Sequence, residues 1–106
     1  MINIKIFKHN EMIVGFEAKG HAGFAKSGKD IICSAASVLF ITTINSLENL
    51  ADVKMTYQVD DGYAKCKLEE KPNKDSQILL ESMVIGLTGI VDSYGKKYIN
   101  LTFEEV

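Results

Sequence analysis

The sequence predicts an α+β fold in the order ββαββαβ, with a mainly antiparallel five-stranded sheet and two helices. Short stretches of alternating apolar and polar residues occur in pairs, and two longer stretches carry apolar residues at helical spacing. The length of 106 residues suits one hydrophobic core, so we expect residues 1–106 to form a single domain. Consecutive hairpins favour antiparallel pairing, whereas the pattern leaves the order of the strands open.

The N-terminal part of the chain is typical of a β-hairpin followed by a loop. Apolar residues alternate along residues 2–6 and again along residues 14–18, and residues 8–11 form the predicted turn. Residues 20–29 contain three glycines and show no usable periodicity, which predicts a mobile loop.

The middle of the chain predicts an apolar helix. From about Ile32 to Ala51 apolar residues recur at helical spacing, and Asp30 stands in a capping position. We expect this helix to be covered on most sides, and its surplus apolar surface favours a homodimer. Residues 31–47 carry no charge, but six of them are Ser, Thr or Asn and the stretch is short for a membrane span. A buried helix of a soluble protein is therefore predicted.

The second half predicts another hairpin, a second helix and a last strand. Alternating residues 53–59 and 64–68 flank Asp61 and Gly62, which is a strong two-residue turn signal. A helix is predicted between residues 72–75 and Gly95, and its expected apolar stripe consists of Leu79, Met83, Leu87, Ile90 and Tyr94. Residues 99–103 alternate as the last strand.

Charge and composition exclude several function classes. Twelve basic and fourteen acidic residues form no basic stripe, which disfavours direct nucleic-acid binding. Cys33 and Cys66 are too few for a disulfide scaffold, so a reducing compartment is expected. The two cysteines and two histidines lack paired short spacing, so neither a metal site nor a cofactor is predicted. Lys5 and Lys8 interrupt the apolar N-terminus, which therefore does not read as a signal peptide.

Cys33 and His21 are the candidates for chemistry. A helix start lowers the pKa of a thiol, and a nearby imidazole can take its proton. The placement favours Cys33 as nucleophile and His21 as base, and the backbone N–H groups of Cys33 and Ser34 could stabilise an oxyanion. Spacing alone leaves a packed core thiol open as the alternative.

The neighbouring residues have simpler interpretations. Asp30 is expected to cap the helix, and it could also orient His21. Ser37 shares the helix face of Cys33 and could support the site, although close packing is the expected role. Cys66 alternates with apolar residues and is interpreted as a buried apolar side chain.

Residues 20–37 resemble the signature of a known family. The matching residues are Gly20-His21-Ala22, Gly28, Asp30-Ile31-Ile32-Cys33 and Ser34-Ala35-Ala36-Ser37. They resemble the ribosomal-processing cysteine protease family Prp, also called YsxB-like. Chain length and element order extend the resemblance to the whole domain.

The resemblance implies a cytoplasmic bacterial endopeptidase that removes the N-terminal extension of the twenty-seventh protein of the large ribosomal subunit, cutting after a pair of aromatic residues. It implies Cys33 and His21 as the catalytic pair, a homodimer, and a glycine-rich loop, here Ala22 to Lys29, that moves to admit substrate. Gly20, Gly23 and Gly28 are the candidate substrate-loop residues. Neither a membrane nor nucleic acid is an expected direct partner. Two alternatives stay open, a non-enzymatic dimeric binding module of ribosome assembly and a peroxide-sensing thiol.

Overall fold

The predicted order ββαββαβ is confirmed by the computed structural model, which describes residues 1–26 and 30–106. The strands are β1 (Ile2–His9), β2 (Met12–Lys19), β3 (Met55–Asp60), β4 (Tyr63–Leu68) and β5 (Ile99–Glu105), and the helices are α1 (Ile31–Leu50) and α2 (Lys74–Tyr94).

The five strands form one sheet in the order β3-β4-β2-β1-β5. Three of its pairs are antiparallel, which confirms the mainly antiparallel prediction. The β1–β5 pair is parallel, because α2 carries the chain back across the sheet before β5 begins. This order makes β3 and β5 the edge strands.

Both helices cover the same face of the sheet. Ile2, Ile4 and Ile6 of β1 point towards them and are buried, whereas the intervening polar residues are exposed. The Phe16 ring of β2 stacks on the Phe40 ring of α1 at 5.6 Å between centroids. Burial of each such side chain contributes about 2 kcal/mol. The buried helical residues that complete the core are Ile32, Ala36, Ile44, Leu47, Leu80, Met83 and Leu87.

Helix α1 is less covered than the sequence predicts. Val38 is 62% exposed and Ile41 is 44% exposed, so coverage on most sides is wrong for the single chain. Only one face of α1 meets α2 and the sheet, where Phe40 and Leu47 are buried. Helix α1 is also long and apolar enough to cross a membrane by length and composition alone, a test that core helices of soluble proteins pass as well.

Helix α2 presents a slightly different face from the predicted stripe. Met83 and Leu87 are buried as predicted, but Leu80 rather than Leu79 is the fully buried leucine. Tyr94 is 44% exposed. The buried face is rotated because α2 packs against both the sheet and α1.

Candidate active site

A cleft of about 490 Å³ opens where the first turn of α1 meets one end of the sheet. Cys33 lies on its helical wall, His21 comes from the stretch after β2, and Asp61 and Gly62 come from the β3–β4 turn. Cys33 and His21, the two residues predicted to carry the chemistry, therefore line one cavity.

Strand pairing brings these three segments together. β4 pairs with β2, so that Lys19 lies opposite Tyr63 at the end of the ladder. One residue further, the Gly20 N–H donates to the Gly62 carbonyl at 2.9 Å. The stretch that carries His21 is thereby attached to the β3–β4 turn.

The Asp30 carboxylate organises the start of α1. Its Oδ1 accepts the N–H groups of Ile32 at 3.1 Å and Cys33 at 3.0 Å, and its Oδ2 accepts the Phe24 N–H at 3.0 Å. Burial raises the pKa of Asp30, but the hydrogen bonds from Cys33 and Phe24 outweigh burial and hold it below its ordinary value. The predicted cap is confirmed, and the same carboxylate also binds the loop.

Two predicted roles near Asp30 differ from the observed contacts. The described hydrogen bonds of its carboxylate go to backbone N–H groups and not to His21. The Cys33 N–H is occupied by this carboxylate, and the Ser34 N–H donates to the Asp30 carbonyl at 3.1 Å. The prediction that both first-turn N–H groups are free for an oxyanion is therefore wrong in this conformation.

The Cys33 thiol is half-buried, and its Sγ accepts the Ala22 N–H at 3.0 Å. Burial raises the pKa of Cys33 above its ordinary value, because it penalises the thiolate. The Ala22 N–H lowers that pKa, whereas the charge of Asp30 raises it further. The expected depression of the pKa by the helix start is wrong here, because burial of the thiol, and after it the charge of the capping carboxylate, favours the neutral form.

Cys66 is only 1% exposed, which confirms its interpretation as a buried side chain. Its sulfur lies 3.8 Å from the Met55 sulfur, and burial raises the pKa of Cys66 to about 11. A thiol of this kind is not available for reaction near neutral pH.

The His21 imidazole is exposed and lines the cleft, as the sequence predicts. Its ring lies against Gly62, where a Cβ atom would be 2.8 Å from His21 Nε2. The ring therefore occupies space that only a glycine leaves open.

Most of the other candidate residues also line the cleft. Ser34 and Ser37 are exposed and line it, so the expected packing role of Ser37 is wrong. Gly20 and Gly23 also line it, with φ of +102° and +73° that favour glycine. Gly28 lies outside the described residues.

Phe24 attaches the loop to the far end of α2. Its ring meets Tyr94 edge-on at 5.7 Å and Tyr98 edge-on at 5.4 Å between centroids. Such aromatic pairs contribute about 1 kcal/mol each beyond burial. The loop is therefore held both by Asp30 and by an aromatic contact that sequence reasoning missed.

Further residues that line the cleft were also missed by sequence reasoning. They are Ile41, Val59, Asp60, Asp61, Gly62 and Tyr63. The Asp61-Gly62 turn was recognisable from the sequence, but its position beside His21 depends on the β2–β4 pairing. Among the described residues, no group of three or more His, Cys, Asp or Glu side chains is arranged to hold a metal ion.

The curated proteins that are similar to this chain share one name. The ribosomal processing cysteine protease Prp of Bacillus subtilis is 28% identical over 92 residues, which cover 81% of this chain and 82% of that protein. The protein of the same name from Staphylococcus aureus is 25% identical over 99 residues, which cover 91% of this chain and 93% of that protein.

Solved structures show the same fold. A crystal structure of S. aureus Prp with a covalently linked product peptide has a TM-score of 0.91 at 25% identity, covering 98% of this chain and 100% of that one. The crystal structure of SMU.848 from Streptococcus mutans has a TM-score of 0.85 at 28% identity, and the match covers 100% of this chain and 96% of that one. The family model described as cysteine protease Prp matches residues 1–100. Since that match spans nearly the whole chain and the fold agrees with it, this chain belongs to the Prp family of cysteine proteases.

Proposed function

We propose that this protein is a cytoplasmic endopeptidase that removes the N-terminal extension of the twenty-seventh protein of the large ribosomal subunit. The observation that carries the proposal is that Cys33 and His21, which come from different segments of the chain, line one cleft. The relatives are named ribosomal processing proteases, which supports a ribosomal protein as the substrate.

The substrate enters as an extended segment. β3 is an edge strand, and its last residues, Val59 and Asp60, line the cleft. Edge strands present unpaired backbone groups with which an extended peptide can pair. An N-terminal extension supplies such a peptide without unfolding the rest of its protein.

Cys33 and His21 divide the chemistry. The Cys33 sulfur attacks the scissile carbonyl carbon, and His21 takes the thiol proton and passes it to the leaving amine as the C–N bond breaks. Water then hydrolyses the thioester, which releases the new carboxylate and restores the thiol. Because the pKa of Cys33 is raised in the free protein, this scheme needs a base at the thiol, and His21 is a titratable group that lines the same cleft.

The backbone contributes at the sulfur rather than at the first turn of α1. The Ala22 N–H already donates to Cys33 Sγ and favours the thiolate. The Cys33 N–H can receive an oxyanion only after the Asp30 carboxylate releases it. An oxyanion held by the Cys33 N–H therefore requires that substrate binding first displaces the Asp30 carboxylate from it.

The deciding experiment incubates the protein with the extended ribosomal protein from its own source and measures intact masses. We expect a truncated product from wild type and from Cys66→Ala, and none from Cys33→Ala. Cys33→Ala should stay folded, because a helical first turn accepts a methyl group. A truncated product formed by Cys33→Ala at the wild-type rate contradicts the proposed nucleophile.

His21→Ala tests the base. We expect a bell-shaped pH dependence of kcat/KM in wild type, whose two limbs belong to the Cys33–His21 pair, and a collapsed rate in the variant. An unchanged rate and profile in folded His21→Ala would remove the imidazole from the mechanism.

A non-enzymatic binding module of ribosome assembly is the second candidate. The raised pKa of Cys33 and the exposed apolar residues of α1, such as Val38, favour it. Binding of the extended ribosomal protein without any mass change, together with slow thiol labelling of Cys33, would support the module. Sulfenic acid at Cys33 after peroxide treatment, without cleavage, would indicate a sensing thiol instead.

A further inference from the structure

The β3–β4 turn places a glycine directly against the imidazole of His21. A Cβ atom on Gly62 would lie 2.8 Å from His21 Nε2, 3.2 Å from Cε1 and 3.4 Å from Cδ2. Cβ atoms essentially never approach another heavy atom closer than 3.0 Å. A side chain at Gly62 must therefore push the ring away from its position.

The backbone of the same turn holds the chain segment that carries the ring. Gly62 has φ of +69°, which glycine adopts without strain, and its carbonyl accepts the Gly20 N–H at 2.9 Å. The turn consequently meets the segment of His21 twice, through the hydrogen bond to the neighbouring Gly20 and beside Nε2 of the ring.

We propose that Gly62 is a positioning residue, whose missing side chain lets the His21 imidazole rest on the β3–β4 turn where it lines the cleft with Cys33. The inference rests on the proposed function, in which this imidazole takes the thiol proton. Proton transfer needs heavy atoms within hydrogen-bond reach, so a displacement of about 1 Å lowers the rate steeply.

Two variants and one control test the rate. Gly62→Ala adds a Cβ, and Gly62→Asn adds one in a residue that tolerates positive φ better. Gly95→Ala is the matched control, because Gly95 has φ of +94° and a Cβ there meets nothing within 4 Å. We expect both Gly62 variants to lose about tenfold or more in kcat/KM, mainly through kcat, and Gly95→Ala to retain the wild-type value.

NMR provides a readout that does not depend on activity. The chain has two histidines, so two Hε1 resonances report on them separately. His9 serves as the internal reference, since its Nδ1 lies 2.8 Å from the Val106 carbonyl, remote in sequence from the turn. In both Gly62 variants we expect the chemical shift of the His21 resonance to change and that of His9 to stay the same.

Thermal unfolding completes the test. If the clash is with the ring, Gly62→Ala should lower Tm less in the His21→Ala background than in wild type. Folded Gly62 variants with wild-type kcat/KM, or with an unchanged His21 resonance, would overturn the inference. If wild type cleaves no precursor, the proposed function fails, and the resonance and Tm measurements still decide whether Gly62 positions the ring.

Discussion

Asp30 stabilises the first turn of α1 and at the same time disfavours the thiolate of Cys33. Its Oδ1 accepts the Cys33 N–H, and its negative charge contributes to the raised pKa of the thiol. The cap is thus a structural group that works against the chemistry in the free protein. In the proposed mechanism, the base that takes the thiol proton has to overcome this effect.

Asp30→Asn should lower the pKa of Cys33, because the amide retains a capping oxygen but carries no charge. We expect faster alkylation of Cys33 by iodoacetamide between about pH 7 and 8, where the thiolate fraction limits the rate. The measurement uses the Cys66→Ala background, so that only one thiol reacts. Unchanged or slower alkylation of a folded Asp30→Asn protein would contradict this electrostatic role.

The same variant should change the acid stability of the protein. The pKa of Asp30 is lowered on folding, so its charge stabilises the native state above the ordinary carboxyl pKa and this contribution is lost as pH falls through the folded pKa. We expect wild type to exceed Asp30→Asn by about 1 kcal/mol in free energy of unfolding near neutral pH. That difference should shrink as the pH falls below the ordinary carboxyl pKa and the folded carboxyl becomes protonated, as measured by urea unfolding across the acid range.

At the level of elements, Phe24 couples the loop to helix α2. Its ring contacts Tyr94 and Tyr98, while its N–H is held by Asp30. The loop segment that donates the Ala22 N–H to Cys33 is therefore fixed at two points. That the loop moves to admit substrate stays a prediction.

Phe24→Ala should loosen this segment without unfolding the domain, because its ring is 40% exposed and lies outside the core. We expect faster amide hydrogen exchange at Ala22 and a lower kcat/KM, with a loss of stability of about 1 to 2 kcal/mol. Phe103→Ala is the control, since Phe103 is 54% exposed on β5. Wild-type exchange at Ala22 in Phe24→Ala would show that the aromatic contact does not hold the loop.

Strand β4 carries a buried thiol whose ionisation should appear in the stability of the protein. Burial raises the pKa of Cys66 from 9.0 to about 11, so the thiol's contribution is complete below pH 9 and is lost as pH rises towards 11. At high pH the lost contribution reaches about 3 kcal/mol. We expect the stability advantage of wild type over Cys66→Ala to shrink between pH 8 and 11 in urea unfolding. A constant difference would contradict the burial of a neutral thiol.

On the scale of the whole molecule, the apolar surface beside β3 favours association of two copies. Val38 of α1 is exposed, and so is Tyr57 on the helix-covered side of β3, and neither of them lines the cleft. Exposed apolar groups that lie together mark interaction surfaces more often than scattered ones do. The predicted homodimer would cover this surface.

Val38→Asp should dissociate the dimer, because it places a charge among the apolar residues of this surface. Sedimentation across a range of concentrations should show a dimer for wild type and a monomer for the variant. Ile85→Asp, at a position of α2 that is 72% exposed, is the control and should stay dimeric. A monomeric wild type, or a dimeric Val38→Asp, would contradict this surface.

The sequence by itself determined the order of the elements and the choice of Cys33 and His21 as candidates for chemistry, because local patterns encode them. The alternation in β1, the Asp61-Gly62 turn and the cap at Asp30 depend on neighbours within a few residues. The motif around His21 and Cys33 likewise lies within one short stretch of chain, and it carried the resemblance to the family.

Only the tertiary structure decided what surrounds those residues. The β2–β4 pairing brings Gly62 to the ring of His21, and the burial of Cys33 beside the capping Asp30 raises the pKa of the thiol. The parallel β1–β5 pair and the uncovered face of α1 likewise depend on which elements become neighbours. These features arise from contacts between segments distant in sequence, and such contacts leave no periodic pattern along the chain.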